Sequence, residues 1–274
     1  MLSPLRGEQR VDLIASRSLE WLLDQRTPSG LWQFFNSNSD SRPVNIPPDA
    51  DCTASALLSF LEWRHPGIHI CKHAQQIAAH RHKGLFLTWI LDEPKASSVY
   101  NVDPFEVDPY VNANVLLLHA SLGYKIPEVE PYLRGHLRSN PFPPRSRYYF
   151  SAALFIYLIL KLSQLGPTLL DRLDRELCER RIYALLADSK GAHVDILDLA
   201  LTLTAAALSE MSRCSLVEAA LNTLGGHQEA DGGWQAFAFF FGNLTFERPP
   251  KLTYFGSRAL TTAAALEAYN AWLR

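Results

Sequence analysis

The 274-residue sequence predicts an all-α fold, a barrel in which inner and outer helices alternate. Three observations predict it. Apolar residues recur at spacings of three and four, the signature of helices with one buried face. Segments with a charged face alternate along the chain with segments almost free of charge. One loop pattern occurs twice, about two hundred residues apart.

The charged-face segments are "RVDLIASRSLEWLLDQ" (10–25), "CKHAQQIAAHRHKGLFLTWIL" (71–91), "LDRLDRELCERRIYALL" (170–186) and "SLVEAALNTLGGHQ" (215–228). Each is expected to lie outside, with one side in water. The nearly uncharged segments are "DCTASALLSFLEW", "PYVNANVLLLHASLG", "FSAALFIYLILKLS", "VDILDLALTLTAAALSEM" and "SRALTTAAALEAYNAW". A helix that is apolar all round is surrounded by protein, so these are expected inside. They begin near residues 50, 108, 149, 193 and 257. Strand signals are nearly absent. Proline-rich loops are expected at "RPVNIPPD", "NPFPPRSR" and "FERPPK".

The repeated loop reads "QRTPSGLW" from Gln25 to Trp32 and "QEADGGW" from Gln228 to Trp234. Each has a glutamine near the end of an outer helix, a glycine turn and a tryptophan. An indole there can stack on the next helix pair while the amide ties loop to helix. A plain helix end with a packed tryptophan is the simpler alternative. Two copies, each ahead of an inner helix, indicate an internal repeat.

Length and a hydrophobic content of 47% allow one large domain or two small ones, and one domain over 1–274 is expected. The net charge is -2 and no basic stripe is present, so nucleic acid is a poor partner. Cys52, Cys71, Cys178 and Cys214 are scattered, which fits free thiols in a reducing cytoplasm. The N-terminus has no signal-peptide core. The apolar run "YYFSAALFIYLILKLSQLG" is broken by Ser151 and Lys161 and is read as a buried helix. Aromatic residues make up 11% of the chain, which leaves room for peripheral membrane contact.

Two helix starts carry candidate acids. Asp108 precedes Pro109 and is the expected N-cap of its helix. Asn112 lies one turn up the same face, with Asn114 beyond it. The helix dipole and first-turn N–H groups stabilise a carboxylate at Asp108, and so strengthen the acid. A cap worth roughly 1 kcal/mol is the alternative. Asp51, at the start of the preceding inner helix, poses the same choice and ranks second. Asp103 and Glu106 are nearby charges. Asp195 is expected as a cap, with Asp198 and His193 in the same stretch. Aromatic faces stabilise positive charge by about 0.5–2 kcal/mol each. Candidates are Trp32, Phe34, Tyr100, Tyr110, Tyr148, Trp234, Phe237, Phe240 and Tyr254. Arg145, Arg147, Arg248, Lys251 and Arg258 are candidate partners for an acidic group, or solvated surface charge.

With these motifs the chain resembles the squalene-hopene cyclase and prenyltransferase superfamily, whose QW repeats the two loops are similar to. "DADCTASALL" and "VDPYVNANVLLL" resemble that superfamily's helix starts. The likeness is to single-domain class II terpene cyclases of bacterial meroterpenoid pathways. It implies an (α/α)6 barrel that cyclises a linear prenylated aromatic after proton transfer from an aspartic acid. It also implies no cofactor and a small-molecule polyprenyl partner. The D-x-D-D acid motif of such enzymes is not literal here. "DADC" has Cys52 in the fourth position, and "VDP" keeps Asp108 alone. No DDxxD cluster is present to hold magnesium and diphosphate, and Asp51 with Cys52 falls short of a zinc site. A non-catalytic prenyl-binding barrel and a protein prenyltransferase-like subunit are the other readings.

Overall fold

A computed structural model describes residues 9–35, 46–92, 100, 102–166, 169–189, 194–243 and 252–273. Ten helices and two small antiparallel hairpins occupy them. The helices are α1 (Gln9–Asp24), α2 (Ala50–Glu62), α3 (Ile70–Ala79), α4 (Pro109–Ser121), α5 (Val129–Leu137), α6 (Ala152–Leu165), α7 (Arg172–Asp188), α8 (Ile196–Leu208), α9 (Ser215–Gly226) and α10 (Arg258–Trp272). The hairpins pair β1 (Arg81–His82) with β2 (Leu85–Phe86), and β3 (Ala238–Asn243) with β4 (Leu252–Gly256). Arg248, Lys251, His193 and the loop "FERPPK" lie outside the described residues.

The five apolar segments are helices α2, α4, α6, α8 and α10, starting within about three residues of expectation. Each begins on a side-chain cap. Asp49, Asp108, Ser151, Asp195 and Ser257 accept first-turn N–H groups. The caps satisfy donors that burial would leave orphaned.

The chain divides into two compact units. In the first, made of the described residues up to Tyr132, α2 packs beside α4, with α1 and α3 against it. Its core holds Phe60, Phe86, Leu57, Ile77 and Leu118. In the second (chiefly Leu133–Asn243 and Leu252–Arg274), α8 lies between α6 and α10, and α7 and α9 pack on it. Ala205, Ala206, Ala264, Ala265 and Ala268 are fully buried, so small side chains let α8 and α10 approach closely.

Three sequence expectations are corrected. The outer helix expected over 71–91 ends at Ala79. Lys83 and Gly84 follow with φ of 50° and 84°, a tight turn that folds β2 back on β1. "AFAFFFGN", read as loop, contributes β3; it pairs with β4, and Gly256 is required there because a Cβ would collide with the Phe237 carbonyl. Helix α5 went unseen because Pro131 and Gly135 disguise it. Tertiary ion pairs hold it: Arg134 and Arg138 place Nε 2.9 and 2.6 Å from the buried Asp174 carboxylate at the start of α7.

The two tryptophan loops share one geometry. Trp32 Nε1 donates to the Leu22 carbonyl at 2.8 Å, and Trp234 Nε1 donates to the Leu224 carbonyl at 2.7 Å. Both bonds reach back ten residues. The turns match as well: Thr27 N–H bonds Leu31 O as Glu229 N–H bonds Gly233 O, each at 2.8 Å. Each loop is tied to the next apolar helix, Trp32 N–H to Thr53 Oγ1 and Trp234 N–H to Thr262 Oγ1, both at 3.1 Å. Counted back from the tryptophans, Gln25 and Gln228 fall one position apart, so the glutamines are not equivalent. Trp234→Phe removes one buried bond and leaves the Leu224 carbonyl with the His227 N–H at 3.3 Å. It is expected to cost about 1–2 kcal/mol, a fall of roughly 2–8 °C in Tm, readable by thermal denaturation.

Among the described residues no helix is long and apolar enough to cross a membrane.

Candidate active site

The first unit brings two carboxyl-bearing helix starts together at one end. Asp108 is 3% exposed. Its Oδ1 accepts the N–H groups of Tyr110 at 2.9 Å and Val111 at 3.3 Å. Pro109 at the first helical position removes a donor that would have no partner, and presets the backbone. Two converging N–H dipoles stabilise the conjugate base, the condition for a stronger acid. Tyr132, in the first turns of α5, lies near enough for the Asp108 charge to act on it. Burial first, and that charge second, push the Tyr132 phenol above its usual range, so it stays a proton-bearing donor.

Asn112 is fully buried and works on the backbone. It accepts from Phe86 N–H at 2.9 Å and donates to Phe86 O at 2.9 Å and Asp108 O at 3.0 Å. It therefore clamps β2 to the first turn of α4. Phe86 in turn stacks on His119, with ring centroids 5.1 Å apart.

The cap of α2 is Asp49 rather than Asp51, because the helix starts at Ala50, two residues earlier than an Asp51 cap would require. Asp49 Oδ1 accepts the Cys52 N–H at 2.6 Å. Burial, and then the charge of Asp51, push Asp49 up to about 7 from a usual 3.8. Asp51 itself is half-buried. Asn114 donates to its Oδ1 at 2.9 Å and to Ser55 Oγ at 2.7 Å, which ties α4 to α2. An extended segment over 88–90, with an isolated bridge between Trp89 and Asp49, runs between the two helix starts. Ala50 N–H bonds Thr88 O at 2.8 Å, Ile90 N–H bonds Pro48 O at 2.9 Å, and Thr88 N–H bonds Glu106 O at 2.9 Å. Glu106 is buried, while Asp103 is exposed and caps its own turn through Phe105 N–H.

The aromatic candidates separate by unit. In the first, Trp32 and Tyr110 are buried. Phe34 meets Phe35 edge-on at 4.9 Å. Tyr100 lines a cavity of about 460 Å³ with Gln33, His80 and Asp92. In the second, Tyr148 stacks on Phe240 at 5.5 Å, and Tyr149, Phe150, Phe239, Phe241 and Phe255 extend the cluster along β3 and β4. Phe237 donates its N–H to Thr261. Tyr254 is 60% exposed, so the hairpin turns it to solvent and out of a water-shielded role. Trp32 and Trp234 spend their N–H groups on loop anchoring.

In the second unit Asp195 caps α8 as expected. Asp198 accepts the Ser151 hydroxyl at 2.5 Å, and burial, with the charge of Asp195 adding to it, pushes it up to about 6. Arg258 is taken by Glu229 and Asp231, and Arg145 and Arg147 are exposed. Among the described residues no three His, Cys, Asp or Glu side chains form a set that could hold a metal ion. Sequence reading missed Asp49 as the cap and Tyr132 altogether. The Asp-Ala-Asp-Cys spacing held the signal for Asp49, since an Asp three residues before the backbone N–H that donates to it is a capping pattern.

The sequence matches no protein-family model, and a search of curated proteins gives no match. Solved structures do match in fold. The chain is similar to a protein from Actinoplanes, with TM-score 0.73 and 19% identity over 99% of this chain and 87% of that one. It is similar to apo type II terpene cyclase MstE from Scytonema, with TM-score 0.73 and 18% identity over 98% of this chain and 84% of that one. An MstE variant in complex with its substrate, geranylgeranyl dihydroxybenzoate, gives TM-score 0.70 and 18% identity over the same shares. The fold is thus that of a type II terpene cyclase.

Proposed function

We propose that this protein is a class II terpene cyclase that cyclises a linear prenylated aromatic substrate by protonating an alkene. The observation that carries the reading is Asp108: a carboxyl 3% exposed, with two backbone N–H groups converging on one oxygen at the start of an apolar helix. In this reaction Asp108 transfers its proton to one carbon of the terminal C=C, forming a C–H bond. The adjacent carbon becomes a cation, internal double bonds attack it in turn, and loss of a proton ends the cascade. The product has the mass of the substrate. Preorganised dipoles in a water-poor site supply the electrostatic help such a step needs. Asn112 holds the first turn of α4 in place, and Asp51 adds charge beside Asp49. Tyr110, Phe34, Tyr100, Tyr148, Phe237 and Phe240 are the aromatic faces that remain candidates for cation contact.

The match to a cyclase over nearly the whole chain supports reading residues 1–274 as one cyclase-like domain. A substrate of this kind partitions into lipid, and Leu13, Ile14 and Trp21 are exposed along α1, which supports peripheral membrane contact.

The test is incubation of the protein with geranylgeranyl dihydroxybenzoate, followed by chromatography, mass and alkene signals in NMR. Cyclisation gives a product of unchanged mass, shifted retention and fewer alkene protons. Substrate that binds but returns unchanged identifies a prenyl-holding protein instead.

A further inference from the structure

Two of the nearly uncharged helices each carry one charge along their length, and the two charges meet. Lys161 is the one charged residue of α6, and Glu267 is the one charged residue of α10 after its first position. Lys161 Nζ lies 3.5 Å from Glu267 Oε1. The buried Tyr157 donates its hydroxyl to both oxygens of the same carboxylate, at 3.1 and 3.0 Å. The Lys161 ammonium sits 5.0 Å from the centre of the Tyr157 ring. Burial above all pushes the Tyr157 phenol over its usual range, so it keeps the proton it donates.

The cluster bridges α6 and α10 across the inner side of α8. Trp272 Nε1 of α10 donates to Leu203 O of α8 at 2.8 Å, and Gln164 Nε2 of α6 donates to Leu208 O at 3.0 Å, so α8 is held between its neighbours. Phe155 marks the outward direction of α6. Its ring meets Phe142 at 6.1 Å, and Arg181 of α7 lies over that Phe142 ring at 3.5 Å. Tyr157 is two positions on, about 200° round the helix. Tyr269 marks the outward direction of α10, since it donates to Leu221 O of α9 at 3.1 Å. Glu267 is two positions back, again about 200° round. Tyr157 and Glu267 therefore both point inward, and they join over the face of α8 turned away from α7 and α9. Of the Lys161 side chain 25% stays accessible, and of the Glu267 side chain 11%. The cluster borders open space and is not sealed in core.

Packing alone does not favour these residues. An ion pair drawn out of water is often no better for stability than apolar side chains of similar volume, and the rest of both helices is built mainly from Leu, Ile and Ala. What the cluster supplies is a polar stop. A hydrocarbon chain pressed against it would strip water from two charges and offer them no hydrogen bond in return.

We propose that Tyr157, Lys161 and Glu267 form the end wall of the space for the prenyl chain, and so set the longest chain the protein accepts. The inference rests on the cyclase reading and adds the feature of the substrate that is selected, its length. The wall stands about one and a half turns into α6 and about two and a half turns into α10. Ahead of the capped start of α6, Tyr148 stacks on Phe240. A chain that passes those aromatic faces and runs along the inner side of α8 ends at the wall.

The test is competition between geranylgeranyl dihydroxybenzoate and its homologue one isoprene unit longer. The variant combines Lys161→Leu with Glu267→Ala, which removes both charges together and opens room. Wild type is expected to prefer the geranylgeranyl compound. The double variant is expected to raise the ratio of kcat/KM, longer over shorter, by about 10-fold or more. A merely structural role would lower both values alike, so an unchanged ratio overturns the proposal, whether the rates fall or hold. A wild type that takes both lengths equally overturns it too. If the double variant fails to fold, judged by circular dichroism, Tyr157→Leu is read by the same ratio and decides. A folded wild type that cyclises neither compound overturns the cyclase reading, and this inference with it.

Discussion

Asp108→Asn is expected to lose cyclisation by about 10²–10⁴-fold or more while keeping its fold. The amide oxygen can still accept from Tyr110 and Val111, so the cap survives. The amide has no acidic proton to give. Asp108→Ala, by contrast, loses the cap too and is expected to cost about 1 kcal/mol in stability. Comparing the two separates chemistry from capping. Activity is read as substrate consumed per enzyme, and folding as Tm. If Asp108→Asn cyclises at the wild-type rate, Asp108 is a cap only, and the acid must be sought at Asp49 or Asp51.

The second large effect is on stability and depends on pH. Asp49 has a usual pKa of 3.8 and is pushed up to about 7 in the fold. A raised carboxyl pKa means that the folded state favours the protonated form. Its contribution is therefore intact below about pH 4, declines as pH rises toward 7, and is lost above. Three pH units at 1.36 kcal/mol each amount to about 4 kcal/mol. Asparagine cannot ionise, so Asp49→Asn escapes this loss, although its buried NH₂ costs about 1–3 kcal/mol without a partner. The variant is expected to be the more stable protein at pH 8, by about 1–3 kcal/mol on this sum. At pH 4 the advantage should vanish or reverse. Urea unfolding at both pH values measures it. A difference that does not change with pH would mean that Asp49 is already ionised in the fold. A residue that weakens the protein at working pH, and whose removal strengthens it, fits a site kept for activity.

The sequence displayed the helices because their burial is written in composition. Segments such as "VDILDLALTLTAAALSEM" have no face left for water, and α8 is buried nearly all round. Asp108 was legible for the same kind of reason, since Asp-Pro ahead of an apolar run is a local capping signal. What stayed hidden depends on contacts between distant residues. The clamp on Phe86 could not be read, because the Asn112 side chain that holds its backbone lies twenty-six positions on. Helix α5 is set by Arg134 and Arg138 meeting Asp174. The roles of Asp49 and Asp51 were exchanged because the start of α2 is tied to the extended segment 88–90, which the expected long helix over 71–91 had absorbed. Tyr254 stood among the candidate aromatic faces because the hairpin that exposes it was not foreseen.

The paired tryptophan loops bear on how such a fold keeps its form while its letters drift. Within this one chain the same joint is built twice, with only the tryptophan and a glycine turn in common. The glutamines have slipped by a position, and Thr-Pro-Ser-Gly-Leu stands in one copy where Glu-Ala-Asp-Gly-Gly stands in the other. What is copied is a set of main-chain bonds with a single indole aimed at the carbonyl ten residues back. Information held in that form is largely invisible to a comparison of letters and plain to a comparison of backbones. Identities near one fifth beside TM-scores above 0.7 are the same arithmetic carried from two loops to a whole chain.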